Sequence, residues 1–176
     1  MTFFRITKPH LYLESIKIWY ADAFPIDERR EPDDLQNLLQ QTDMHLCALL
    51  SADELVGFII YWQWDDIVFV EHLAMAPNQR GKQYGQQAML ALIRLNFRYC
   101  LLEVERPDDE LRQRRVRFYE RQGFYLNPYD YRQPPYQLGM SEVPMRLLSI
   151  PAIESEATYQ QLSKLIREKV YERFYV

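Results

Sequence analysis

Between His45 and Met75 the chain sets three apolar segments almost end to end, "HLCALLS", "LVGFIIYWQW" and "IVFVEHLAM", parted only by "ADE" and Asp65-Asp66. Short runs rich in β-branched and aromatic residues read as strands. Turns this tight make the strands antiparallel neighbours, because a parallel return needs a crossover of a dozen residues or more. The longest run, Leu55 to Trp64, is too short to cross a bilayer as a helix. Every other element has to pack on this hairpin-linked sheet.

The remaining elements follow from spacing and punctuation. "FFRIT" reads as a short first strand. Pro9 to Ala23 is a helix with Leu11, Ile16, Ile18 and Trp19 at helical spacing, stopped by Phe24-Pro25. A second helix fits Pro32 to Gln41, with Asp33 and Asp34 at the positive end of its dipole. Gly85, Ala88, Met89, Leu92 and Ile93 define the buried face of a third. "YCLLEVE" is a strand, and Pro107 to Gln122 a helix stopped by Gly123. "GFYL" and "VPMRLLS" are strands on either side of "NPYDYRQPPYQLGMSE". Glu154 to Phe174 closes the chain as an amphipathic helix. Hairpins first and strand–helix alternation later predict an α/β (α+β) fold with a mixed, mostly antiparallel sheet flanked by helices.

With 176 residues the chain reads as one domain over 1–150 and a helical extension over 151–176, packed on the domain or on a partner. A net charge of −4 argues against a general grip on nucleic acid. "MTFFRITKPH" lacks a signal pattern, so a cytoplasmic protein with no membrane segment is expected. Cys47 and Cys100 sit in apolar runs as reduced core residues, and three scattered histidines make no zinc site.

Two of the five glycines, Gly81 and Gly85, fall in "MAPNQRGKQYGQQAML", where a strand ends and a helix begins. A strand feeding a helix through a glycine loop aims several unpaired N–H groups at one point, with the helix dipole behind them. Arg80 and Lys82 add positive charge. An anion site and a plain loop with solvated cations both fit this pattern. The spacing matches neither GxxxxGK[ST] nor GxGxxG.

Arg80-Gly81-Lys82-Gln83-Tyr84-Gly85 resembles the coenzyme A signature R/Q-x-x-G-x-G/A of the GNAT superfamily of N-acyltransferases. "VRFYERQGF" (Val116 to Phe124) is similar to its second motif, and "AFPIDERR" to its F-P-x-x-E-R segment. The segments occur in the family's order, and the resemblance covers roughly Phe3 to Ser149. It implies a GNAT-like fold with an extra C-terminal helix, acetyl-CoA as co-substrate and no metal. It also implies direct acetyl transfer to a primary amine on a small molecule or peptide. A non-catalytic acyl-CoA-binding module and a homodimer built on the last helix are the other readings.

By position, the resemblance assigns coenzyme A to Leu73, Met75, Arg80, Gly81, Lys82, Gln83, Tyr84, Gly85 and Gln86, and support of the leaving thiolate to Tyr119. Gln83 replaces the motif's first glycine, so the local turn is expected to differ if that position needs a positive φ. Arg112 and Arg115 either reach a coenzyme A phosphate or form a solvated helix face. Strand alternation puts Glu71 on one face with Phe69, Leu73 and Met75 and turns His72 away. Desolvated there, Glu71 is expected to have a raised pKa and act as general base, or else to be a structural ion pair. Phe24, Pro25, Glu28 and Tyr136, with Tyr129 and Tyr131, would line an aromatic, mildly acidic acceptor pocket suited to a cationic amine. The same tyrosines would equally serve as cover for the core.

Overall fold

In the computed structural model, which describes residues 1–175, β1 (Thr2–Arg5) pairs antiparallel with β2 (Met44–Ser51). β2 pairs with β3 (Glu54–Trp64), and β3 with β4 (Ile67–Met75), as the tight turns require. Ala52 and Asp53 both take positive φ, the turn geometry that matches the twist of a two-residue hairpin. β5 (Tyr99–Glu105) is parallel to β4, and the α3 crossover (Tyr84–Leu92) between them makes that direction possible.

β6 (Tyr125–Leu126), β7 (Tyr131–Gln133) and β8 (Val143–Ile150) complete the sheet in the order β1-β2-β3-β4-β5-β8-β6, with β7 also on β8. One pair is parallel and the others are antiparallel, so the mixed, mostly antiparallel fold expected from the sequence is present. β7 arises inside the proline- and tyrosine-rich loop, where no strand was expected.

Local chemistry sets the helix ends. His10 Nδ1 accepts from the Tyr12 amide and opens α1 (Leu11–Ala23). Phe24, forced extended by Pro25, closes it. α2 is only Asp34–Leu38, much shorter than Pro32 to Gln41. Asp109 caps α4 (Glu110–Glu120), and Ser155 caps α5 (Glu156–Ile166). The terminal segment is not one uniform helix. A π-helical turn, Arg167–Glu172, follows α5 and leads into α6 (Arg173–Tyr175).

The sheet separates two cores. On one face Phe58, Ile60, Trp62, Phe69 and Leu101 pack with Leu13, Ile16 and Tyr20 of α1 and with Tyr159, Ile166, Val170 and Tyr171 of the C-terminal segment. On the other, Ile59, Tyr61, Val68, Val70, Leu102 and Val104 pack against Ala88, Met89 and Leu92 of α3 and Val116 of α4. Cys47 and Cys100 are buried free thiols in this second core. Each fully buried large apolar side chain contributes about 1.5–3 kcal/mol. Among the described residues, no helix is long and apolar enough to cross a membrane.

Gly57 lies opposite Met75 in the β3–β4 ladder. A Cβ there would stand 2.5 Å from the Ala74 carbonyl oxygen and 2.8 Å from Met75 Cε. The methionine can move, but the backbone carbonyl cannot do so without breaking the ladder. Gly57→Ala is therefore expected to destabilise the fold by about 1–3 kcal/mol, seen as a lower urea midpoint with an unchanged m-value.

Candidate active site

The β3–β4 ladder changes register at one point. Ile60 pairs with His72, but Tyr61 pairs with Val70, so Glu71 is an extra residue in β4. Such a bulge bends and twists its strand. The parallel ladder to β5 ends at the same place, with Val70 opposite Leu102. Beyond it lies a cleft of about 920 Å3 with residues 70–75 on one lip and 102–105 on the other.

The bulge also corrects the expected alternation. Phe69 and Glu71 share a face, but His72 turns to that face as well, its ring 4.9 Å from Tyr20 and 4.4 Å from Phe24. Leu73 and Met75 pack on the opposite core instead of beside Glu71.

On the α3 side, a 3-10 turn (Pro77–Gln79) leads through Gly81, at φ +79°, to Gln83 at φ 64°, ψ 10°. Gln83 thus adopts the left-handed conformation itself, at a cost of about 1 kcal/mol or more for a residue with a Cβ. Strain of this kind concentrates at functional sites. No side chain caps α3, so its first-turn amides keep their hydrogen-bonding capacity and the dipole's positive end faces the cleft. Nothing lies within 4 Å of where a Gly81 Cβ would be. Lys82 is not on the cleft wall; its Nζ donates to Gln79 Oε1 at 2.9 Å. Arg80 lines the cleft and pairs with Asp22 at 3.2 Å.

α4 brings Tyr119 to the same cleft, its ring against Phe118 and Phe124 at 5.0 and 6.0 Å. Burial holds the Tyr119 hydroxyl above its ordinary pKa, while nearby Arg115 pulls the other way. Arg112 and Arg115 both pair with Glu105 of β5, so neither is simply solvated and neither is left without a carboxylate.

Across the sheet, the Glu71 side chain is fully buried and held by three donors. Arg30 reaches it at 2.7 Å, Trp62 Nε1 at 2.6 Å and the Tyr136 hydroxyl at 2.9 Å. Burial alone would raise its pKa. Arg30, His72 and the hydrogen bonds from Trp62 and Tyr136 together outweigh burial and hold it below the usual carboxylate value. The raised pKa expected of Glu71 is therefore absent. A buried carboxylate so thoroughly bonded is a poor proton acceptor, and the ion-pair alternative describes it.

The raised carboxylates are two others on the cleft wall. Burial, with Glu105 and Asp27 nearby, lifts Glu28 to about 7. Burial also lifts Glu103 to about 8, against hydrogen bonds from Tyr131 and Tyr171.

Of the residues expected at the site, the cleft brings together Phe24, Glu28, Glu71, Leu73, Met75, Arg80, Gly81, Gln83, Tyr84, Gly85, Gln86 and Tyr119. Pro25, Lys82 and Tyr136 are not on its wall. Pro25 is exposed, and Tyr136 is buried behind Glu71. Arg30, His72, Glu103 and Tyr171 were missed. Only Glu103 had a readable signal, because alternation in "YCLLEVE" puts it on a face with Leu101.

A profile of the acetyltransferase (GNAT) family matches residues 13–124, well over half of the chain. A protein of Bacillus subtilis (strain 168), "Putative acetyltransferase YjbC", is 28% identical over 162 residues, which is 87% of this chain and 81% of that protein. A solved structure, "Putative acetyltransferase from GNAT family from Bacteroides thetaiotaomicron", is 32% identical with a TM-score of 0.90, covering 97% of this chain and 98% of that one. The fold is also similar to an aminoglycoside 6'-N-acetyltransferase complexed with coenzyme A, at 13% identity and TM-score 0.60, over 85% of this chain and 96% of that one.

Arg30 is itself fully buried. It lies near the rings of Tyr136 and Trp62, and its Nη2 donates to the Val170 carbonyl at 3.0 Å. Removing one partner of such a pair strands the other charge. Arg30→Met should cost about 3–5 kcal/mol in urea unfolding, whereas the double change Arg30→Met/Glu71→Leu should cost clearly less than the sum of the single ones. Because the Glu71 pKa is lowered on folding, the pair's contribution is full above the ordinary value of 4.5 and is lost as pH falls below it.

Proposed function

The chain belongs to the GNAT family of acetyltransferases, and we propose that it is an acetyl-CoA-dependent N-acetyltransferase that passes the acetyl group directly to a primary amine. The observation that carries this reading is the opening between β4 and β5. It is bounded by the uncapped start of α3 and by Tyr119 on one side, and by Glu28 on the other.

The residues present fit the cofactor. The amides of the first turn of α3 and the bare side of Gly81 offer a cradle for a pyrophosphate. Charge-assisted hydrogen bonds there contribute about 1.5–3 kcal/mol each. Residues Leu73 to Met75 offer backbone groups that β5 leaves unpaired. Acetyl-CoA, when bound, would supply the thioester whose carbonyl carbon the amine attacks. The C–N bond forms, the C–S bond breaks with its electron pair going to sulfur, and one proton leaves the nitrogen.

Glu28 is placed to take that proton, directly or through water. A lysine-like ammonium near pKa 10.4 costs roughly 4.6 kcal/mol to deprotonate at pH 7. An acceptor near 7 receives the proton at a cost about 3.7 kcal/mol smaller than an ordinary carboxylate near 4.3. Glu71 keeps a fixed charge behind the site and orients Arg30, Trp62 and Tyr136.

Tyr119 supports the thiolate by donating a hydrogen bond. Its raised pKa keeps the hydroxyl protonated and makes outright proton transfer to a thiolate near pKa 8.5 uphill.

Thiol release from acetyl-CoA in the presence of a panel of primary amines tests the reading; coenzyme A binding with no release for any amine would leave only a binding module. In that assay Tyr119→Phe should lower kcat by about 10–100-fold, the worth of one charge-assisted hydrogen bond, with the acetyl-CoA Kd nearly unchanged.

Glu28 works as a carboxylate, so kcat/KM should rise through pH 7 as its proton leaves. Glu28→Gln should remove that inflection and lower turnover by about 10²-fold or more. A profile that keeps the inflection would take Glu28 out of the reaction.

A further inference from the structure

Three glutamates of the cleft are buried or half-buried on β4 and β5, and two of them have cations. Glu71 has Arg30, and Glu105 has Arg112 and Arg115. Glu103 accepts hydrogen bonds from the hydroxyls of Tyr131 and Tyr171, the latter at 2.8 Å. Among the described residues no lysine, arginine or histidine forms an ion pair with it, and burial, the two tyrosine hydroxyls, Glu71 and Glu28 act most strongly on its charge. It stands on the cleft wall one residue beyond the point where the β4–β5 ladder ends.

His72, only 4% exposed, supplies an independent sign of an incomplete site on the same wall. Its Nε2 lies 3.0 Å from the Glu28 carbonyl oxygen, which can only accept, so Nε2 carries the hydrogen. Burial keeps the ring neutral, and Nδ1 is then a lone pair. Among the described residues it has no donor, and Glu71 Oε1 at 3.9 Å is itself an acceptor. A buried acceptor without a donor is costly unless something brings one. This wall therefore offers more acceptors than the chain itself satisfies.

We propose that the acceptor carries a second positive charge, an ammonium that lodges against Glu103 while the reacting nitrogen lies at Glu28, which makes an aliphatic diamine the substrate class. This rests on the acyl-transfer reading above. The chemistry of transfer is unchanged by the second nitrogen, which only binds.

The titratable groups facing Glu103 support this. Tyr131 from β7 and Tyr171 from the C-terminal segment have pKa values pushed well above 10, so both remain donors. Glu71 from β4 and Glu28 both disfavour a charge on Glu103, which burial and those neighbours raise to about 8. At pH 7 Glu103 is therefore largely protonated when no cation is present. An ammonium beside it favours the carboxylate, lowers its pKa and expels the proton.

The test pairs 1,4-diaminobutane with n-butylamine as acceptors. The wild type should show a kcat/KM about 10-fold or more higher for the diamine, a preference set by one charged contact. Glu103→Gln should reduce the ratio to near one while leaving n-butylamine kcat/KM little changed. Calorimetry on the wild type at pH 7, in buffers of different ionisation enthalpy, should show more proton release on binding 1,4-diaminobutane than on binding n-butylamine, which meets Glu28 alone, and this holds even if Glu103→Gln does not fold.

Equal kcat/KM for the two amines, a preference that survives Glu103→Gln, or no greater proton release with the diamine than with n-butylamine would each overturn the inference and leave acyl transfer standing. Thiol release with neither amine, in protein that binds acetyl-CoA, would overturn it together with the acyl-transfer reading.

Discussion

The sheet holds one residue more on β4 than on β3, and that residue is Glu71. Without the bulge, β4 would continue its alternation, and nothing in the register would turn it away from β5 after Val70. With it, the parallel ladder stops at Leu102 and the sheet opens. The opening is the passage between two faces that the sheet otherwise keeps apart, with α3 and Tyr119 on one side and Glu28, His72 and Glu103 on the other. Two ligands lying on opposite faces of the sheet can meet only where the ladder is missing. The bulge carries its own electrostatic cost, because it buries a carboxylate, and Arg30, Trp62 and Tyr136 offset that cost.

Three glutamates on one cleft show how position, rather than residue type, assigns chemical roles. All three are penalised by burial. Glu71 has an arginine at 2.7 Å and two neutral donors, and its pKa falls. Glu28, raised first by burial and then by Glu105 and Asp27 against Arg115 and Arg112, stands at about 7. Among the described residues Glu103 accepts only from tyrosine hydroxyls, and burial raises it to about 8. Neutral donors stabilise a carboxylate less than an adjacent guanidinium does, and here they do not overcome desolvation. The cationic partner therefore decides which glutamate is a fixed charge and which can exchange a proton.

Much of this architecture was legible in the sequence, and the illegible part has a common cause. The three central strands, the helix stops at Pro25 and Gly123 and the start of α3 follow from turn length, proline and glycine chemistry and spacing, all local. Glu71 could be located on its strand, but not on its face relative to Leu73 and Met75, because a bulge leaves no mark in a two-residue period. Gln83 at positive φ is a strain that the surroundings impose and that propensity argues against. Arg30, one of two adjacent arginines in "DERR", gives no sign of being the buried one. Its partners Glu71 and Val170 lie 41 and 140 positions away.

Those long-range contacts explain why the C-terminal segment belongs to the chemistry of the cleft as well as to its packing. The π-helical turn from Arg167 to Glu172 is a wider turn than an α-helix makes, a feature that recurs at functional sites. It carries the Val170 carbonyl that accepts from Arg30 and the Tyr171 hydroxyl that donates to Glu103, on adjacent residues. Tyr136 then joins the two halves, donating to Glu71 at 2.9 Å and lying 3.4 Å from the Tyr171 hydroxyl. The carboxylate that stays charged and the carboxylate that titrates are thus linked through two tyrosines in a region where an unpaired polar group is expensive.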